Sequence, residues 1–143
     1  MYFVDTNVLL YAASKAPEDQ AKRLLARQVL AQAGIAFSAQ VLQEFYAAAV
    51  AKQRLQMTHD EAVAVLESLA AYPVGAVTRE LVLKAIVIKQ RFGVSYWDAA
   101  ILAAAKQIGC HTVFSEDLNH SQDYDGVRVV NPFRAEVNTP TSS

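Results

Sequence analysis

The stretch Tyr2-Phe3-Val4-Asp5-Thr6-Asn7-Val8-Leu9-Leu10 decides how the rest of this chain is read. Three β-prone apolar residues run into a carboxylate, then two small polar residues, then a helix-compatible apolar segment. A strand buried on both faces is a continuous apolar run, so Tyr2-Phe3-Val4 reads as a central strand of a parallel sheet. Asp5 falls where that strand ends and the turn into a helix begins. Open α/β sheets bind ligands just outside the carboxyl ends of their strands.

Working outward, short apolar strands alternate with amphipathic helices. Pro17 suits a first helical turn, with Glu18 and Asp19 beside the N-terminal dipole. The helix that follows shows Leu24, Leu25, Val29 and Leu30 as its apolar stripe, and Gly34 closes the segment. Ile35-Ala36-Phe37 is a strand, and Ser38 caps a helix to about Gln53 that buries Val41, Leu42, Phe45, Ala48 and Ala49. Thr58-His59-Asp60-Glu61 is a capping box, opening a helix that Pro73 stops. Val74-Gly75-Ala76-Val77 reads as a short strand or a connection. Thr78 and Ser95 cap two further helices, ending at Phe92-Gly93 and Ile108-Gly109. His111 to Phe114 is a strand, Ser115 to Gly126 a long polar loop, and Val127 to Val130 a last strand. This alternation predicts a three-layer α/β/α sandwich around a short, mostly parallel sheet.

A chain of 143 residues, 53% hydrophobic, fits one domain with a real core. A net charge of −1 excludes a generally basic nucleic-acid binder, leaving local patches or a metal to make any such contact. Cys110 is the only cysteine, which excludes an intrachain disulfide and is compatible with a reducing compartment. The first residues lack the pattern of a secretion signal, since Asp5 interrupts the apolar run at once, and no run approaches the ~18 residues of a membrane span. A cytoplasmic protein is the expectation.

Four acids merit scrutiny. Asp5-Thr6-Asn7 would suffice as a helix cap, yet a cap needs only one such residue and three polar groups crowd this strand end. Glu44 flanks the buried stripe of its helix instead of opposing it, although one helical glutamate is ordinarily solvated. Asp98 stands three residues after Ser95, where it favours the helix dipole. The helix behind it, Ala99 to Ala105, is apolar on every side and therefore buried, so a carboxylate in its first turn must face a polar pocket or a cation. This helix feeds the strand at His111. If that strand is parallel to Tyr2-Phe3-Val4, the helix begins at the rim where the strands end, beside Asp5. Asp117, after Phe114-Ser115-Glu116, lies just past that same strand.

Carboxylates gathered at one rim repel and need a cation to stay ionised together. Hard oxygen donors without paired His or Cys point to Mg²⁺ or Mn²⁺. An acidic, hydrated metal site with room for a phosphate points to phosphodiester hydrolysis. Of the remaining residues, His59, His111 and His120 read as solvated. Lys52 and Arg54 read as a solvated helix end, with a phosphate-contacting edge as the alternative. Tyr96 and Trp97 read as core packing in preference to base stacking.

These motifs, in their order and spacing, resemble the acidic quartet of the PIN domain family: Asp5-Thr6-Asn7, Glu44 in Gln43-Glu44-Phe45, Asp98 in Tyr96-Trp97-Asp98-Ala99-Ala100-Ile101, and Ser115-Glu116-Asp117. The resemblance covers Met1 to Phe133 and is nearest to the VapC-type toxins of bacterial toxin–antitoxin pairs. It implies a single nuclease domain over 1–133, acting as a Mg²⁺- or Mn²⁺-dependent endoribonuclease, while the residues over 134–143 themselves read as a flexible tail. Asp5 and Asp98 would be the principal metal ligands, with Asp117 and Glu44 completing the pocket partly through water, and Thr6, Asn7 and Ser115 orienting them. It implies a homodimer, silenced by an antitoxin protein, with RNA as substrate. Glu116 competes with Asp117 for the fourth acidic position, and the loop beyond offers Asn119 and Asp123. Two other readings compete. A haloacid-dehalogenase-type phosphatase would also place Asp5 at a strand end, but needs a second acid where Asn7 stands. A non-catalytic protein-binding module would use the apolar face of the 18–33 helix.

Overall fold

The computed structural model describes residues 1–134. Strand β1 (Tyr2–Val4) runs into helix α1 (Thr6–Ala13), and a 3-10 turn at Pro17–Asp19 leads into α2 (Gln20–Leu30). Then come β2 (Ile35–Ser38), α3 (Ala39–Ala51), α4 (His59–Ser68), β3 (Val74–Gly75), α5 (Arg79–Phe92), α6 (Tyr96–Gln107), β4 (Thr112–Phe114), β5 (Asp123–Tyr124) and β6 (Val127–Val130). The tail expected over 134–143 lies, from residue 135 on, outside the described residues.

The sheet order is β3-β2-β1-β4-β6-β5, parallel except for the β5–β6 hairpin. From β1 the chain steps outward to β2 and β3, then returns across the sheet to β4 on the other side of β1. Right-handed crossovers therefore place α1 to α4 on one face and α5 and α6 on the other. This is the sandwich the sequence predicts. The change of direction falls between β1 and β4, where the loops leaving the two strands part and open a crevice. Val4 pairs with Phe114, so Asp5 and Ser115 emerge side by side, and the Asp5 backbone N–H donates to the Phe114 carbonyl at 3.0 Å.

The core follows the apolar runs. Phe3 and Val4 of β1, Val113 of β4 and Val129 of β6 are fully buried. All seven residues from Ala99 to Ala105 are buried, as a helix apolar on every side requires. Their small side chains let α6 pack against α5 and β2 together.

Three expectations fail here. Leu24 is 59% exposed, whereas Val29 is buried as expected, Leu25 and Leu30 are half-buried, and Ala26 takes the remaining core position. The polar loop 115–126 is not wholly a loop, because it contains β5 and buries Leu118 and Tyr124. Asp125 and Gly126 both have positive φ, 56° and 93°, which is the two-residue turn that suits strand twist and for which Asp-Gly is a signal. The Asp123 carboxylate accepts from the Gly126 N–H at 3.2 Å, so this acid serves the turn. Trp97 is not core and stands largely in solvent.

A side chain at Gly126 is strained by its backbone. Gly126→Val is expected to cost about 1–3 kcal/mol in urea denaturation; a loss below about 0.5 kcal/mol would contradict this turn.

Candidate active site

The site grows from the end of β1. Asp5 is the N-cap of α1: its backbone is extended and its Oδ1 accepts from the Thr6 N–H at 2.7 Å. Its Oδ2 accepts from the Ser115 hydroxyl, also at 2.7 Å, across the β1–β4 crevice. Asp5 is only 3% exposed. Burial pushes its pKa up to about 6; the two donors oppose the rise, and the charges of Asp117 and Glu44 add to it.

Around Asp5 the partners form a neutral scaffold. Thr6 Oγ1 donates to Glu44 Oε1 at 2.6 Å, joining α1 to α3. Glu44 Oε2 accepts from Gln40 Nε2 at 3.1 Å, and Gln40 donates also to the Trp97 carbonyl at 3.2 Å, joining α3 to α6. Gln40 is buried. The sequence reading missed it, although it lies one turn before Glu44 on the same helix face. Asn7 Nδ2 donates to Asp117 Oδ2 at 3.0 Å and, more distantly, to Ser115 Oγ at 3.4 Å. Ser115 Oγ further accepts from the Asp117 N–H at 3.1 Å.

Asp98 sits in the first turn of α6, where Ser95 Oγ accepts from its N–H at 3.1 Å. Its pKa is raised, first by burial and then by Asp117 and Glu44, with Ser95 opposing. Asp5 and Asp98 therefore face the same two carboxylates. Glu116 turns elsewhere: Lys22 Nζ lies 3.1 Å from its Oε2 and also donates to the Tyr11 hydroxyl at 3.1 Å. That leaves Asp117 as the acid of this pair directed to Asn7. Asn119 donates to Gln122 at 2.8 Å, and His120 Nδ1 accepts from the Asn131 N–H at 3.0 Å, so neither is simply solvated.

A cleft of about 330 Å³ opens beside Glu44 and Asp117, lined also by Thr6, Asn7, Lys52, Arg54 and Glu116, whereas Asp5 and Asp98 do not line it. Arg54 is tied to Asp19 at 2.7 Å, whereas Lys52 pairs with no acid among the described residues. The two cations expected at a solvated helix end therefore stand in the wall of the cleft.

The sequence matches the PIN domain family over residues 2–124. The chain belongs to the PIN domain family. No curated protein matches it. Among solved structures, the PIN domain here is similar to VapC20 of Mycobacterium tuberculosis, a sarcin-ricin loop cleaving toxin. That match has 21% identity over 82% of this chain and 90% of that one, with a TM-score of 0.66. It is similar also to a chain of a toxin–antitoxin complex from Klebsiella pneumoniae, at 19% identity over 93% and 98% with a TM-score of 0.64. A third likeness is to VapBC2 from Rickettsia felis bound to a promoter DNA fragment, at 16% identity over 90% and 96% with a TM-score of 0.62. At these identities the likeness shows the fold. Membership of the PIN domain family displaces the phosphatase reading, and Asn7, bound to Asp117, supplies no second acid.

The raised pKa of Asp5 carries a sign. Its folded value of about 6 exceeds the ordinary 3.8, so its contribution to stability is full below pH 3.8 and is lost as pH rises through 6. Over about two units that is up to ~3 kcal/mol. In metal-free protein the stability of Asp5→Asn relative to wild type should therefore climb between pH 4 and 7.5 in urea denaturation. A constant difference across that range would contradict the burial of an ionisable Asp5.

Proposed function

We propose that residues 1–133 form a divalent-metal-dependent endoribonuclease, the toxin of a toxin–antitoxin pair, acting in the cytoplasm. One observation carries this reading: Asp5, Glu44, Asp98 and Asp117 come from four separate segments to one rim, and no cation of the protein pairs with any of them among the described residues. Self-repelling carboxylates held in place by neutral donors are what a hard divalent cation requires.

The donor chemistry fits Mg²⁺ or Mn²⁺, since every candidate ligand is an oxygen. As the side chains now stand, no group of three or more His, Cys, Asp or Glu among the described residues is placed to hold a metal. Asp5 and Asp98 would be the principal ligands, with Asp117 and Glu44 completing the set through their own rotations or through water. When bound, such an ion supplies a water of lowered pKa and offsets the charge that builds on a phosphodiester.

The chain's own residues do the rest. Thr6 N–H and Ser115 fix both oxygens of Asp5, which keeps a buried carboxylate oriented toward the rim. Thr6 and Gln40 hold Glu44, and Asn7 holds Asp117, so each of these two acids has a neutral guide. Lys52, with Arg54 beside it, gives the strand's phosphates a local positive edge on a chain whose net charge is −1.

An antitoxin protein as partner is supported by the solved toxin–antitoxin complexes that share this fold. A homodimer accords with Leu83, Ile86 and Val87, apolar residues that α5 leaves in solvent. No helix among the described residues is long and apolar enough to cross a membrane.

Purified protein should cut RNA only with Mg²⁺ or Mn²⁺ present. Asp5→Asn and Asp98→Asn should each slow cleavage by more than about 100-fold, since even groups that merely support a ligand are worth 10–100-fold. Undiminished cleavage by both variants, or cleavage in EDTA, would overturn this reading.

A further inference from the structure

We propose that Trp97 is a stacking platform for one unpaired base of an RNA strand bound beside the acids. The inference rests on the ribonuclease reading above.

An indole that is 63% exposed leaves a large aromatic surface in water, where tryptophan is ordinarily well covered. Its place makes the exposure informative. Trp97 lies in the first turn of α6, directly before Asp98. Its carbonyl is gripped by the buried Gln40 amide, which holds Glu44 by the same nitrogen. Its backbone is thus pinned to the acid wall of the site while the ring stands in solvent. Tyr96, itself packed on the core, meets the indole edge to face at 5.1 Å and 81° and steadies it from one side.

The rest of the track lies along α3. Gln40, Glu44, Ala48 and Lys52 recur every four residues, on one side of the helix, and three of the four line the cleft. Twelve residues of helix span about 18 Å. The backbone of Trp97 is thus joined to one end of this line, the acids lie beside it, and Lys52, unpaired among the described residues, is at the other end. That order suits a nucleic-acid strand whose phosphates reach the cation while one base lies on the indole. Stacking on aromatic rings tolerates any base and needs the base unpaired, because bases inside an A-form duplex are stacked on each other. A protein partner would also bury an exposed tryptophan. The tie to Gln40 and Glu44 favours the RNA strand, since it fixes Trp97 to the acidic site and not to a separate surface.

Trp97 is the only tryptophan of the chain, so indole fluorescence reports on it alone. An Asp5→Asn background with Mg²⁺ present holds cleavage off while RNA is titrated. A short unpaired oligonucleotide should quench the emission, and the same oligonucleotide annealed to its complement should not. On that background Trp97→Ala should weaken single-strand binding roughly 5- to 100-fold, and Trp97→Phe by less than about threefold. Binding without an emission change, equal binding by Trp97→Ala, or equal quenching by the duplex would overturn the proposal. So would a change of oligomeric state in Trp97→Ala with RNA affinity intact, which assigns the ring to a protein contact. Parallel cleavage assays with the natural Asp5 separate the two readings. A wild type that cuts no RNA sinks the ribonuclease, whereas a Trp97→Ala protein that cuts and binds as wild type does sinks only the stacking.

Discussion

The rim of this sheet depends on one arrangement: a carboxylate buried at the end of β1 and held by two neutral donors, the Thr6 N–H and the Ser115 hydroxyl. Capping α1 accounts for the bond from Thr6, and it does not require that the carboxylate be buried. A buried carboxyl without a cation is costly, and its pKa of about 6 measures part of that cost. The parallel pairing of β1 with β4 puts Asp5 and Ser115 together, and the start of α1 adds the N–H. The same topology sends α6 back to begin at this rim, which carries Asp98 toward the acids that also surround Asp5.

Several acids elsewhere in the molecule are paired with cations, although, among the described residues, the exposed Asp60, Glu67, Glu80 and Asp123 are not. Asp19 is paired with Arg54, Glu61 with Lys15, Asp125 with Arg91 and Lys106, and Glu116 with Lys22. Burial is not the difference, since Asp19 is nearly as covered as Asp5 and yet has an arginine that helps hold its pKa down. Among the described residues, cations thus pair with several carboxylates and with none of the four at the rim. The local imbalance is a property of the site and not of the composition, whose net charge is only −1. It leaves the position of positive charge to something the protein must bind.

Much of this was legible in the sequence because it rests on strong, short-range signals. The apolar run of Tyr2-Phe3-Val4 against Asp5 fixed a parallel strand and the end at which to look. The alanine-rich stretch after Asp98 could only be a buried helix, and burial made its first-turn acid conspicuous. Side chains that answer to tertiary context were harder. Tyr124 and the Asp125-Gly126 turn sat inside a polar stretch whose charge masked a hairpin, although the dipeptide itself was a usable cue. Leu24 counts as apolar in any periodicity, yet the helix turns it to solvent. The expectation of a core Trp97 fails because no sequence pattern tells an indole packed under a helix from one left outside it. Gln40 and the Lys22–Glu116 pair depend on contacts between elements far apart in the chain, and only their placement reveals them.

The most direct test of the central claim is anomalous diffraction from a crystal soaked in Mn²⁺ and measured at the manganese edge. A peak is expected at the carboxyl rim in contact with Asp5, with Asp98 and at least one of Glu44 and Asp117 turned toward it. No peak there, or a peak held elsewhere with all four acids left in their present positions, would contradict the claim.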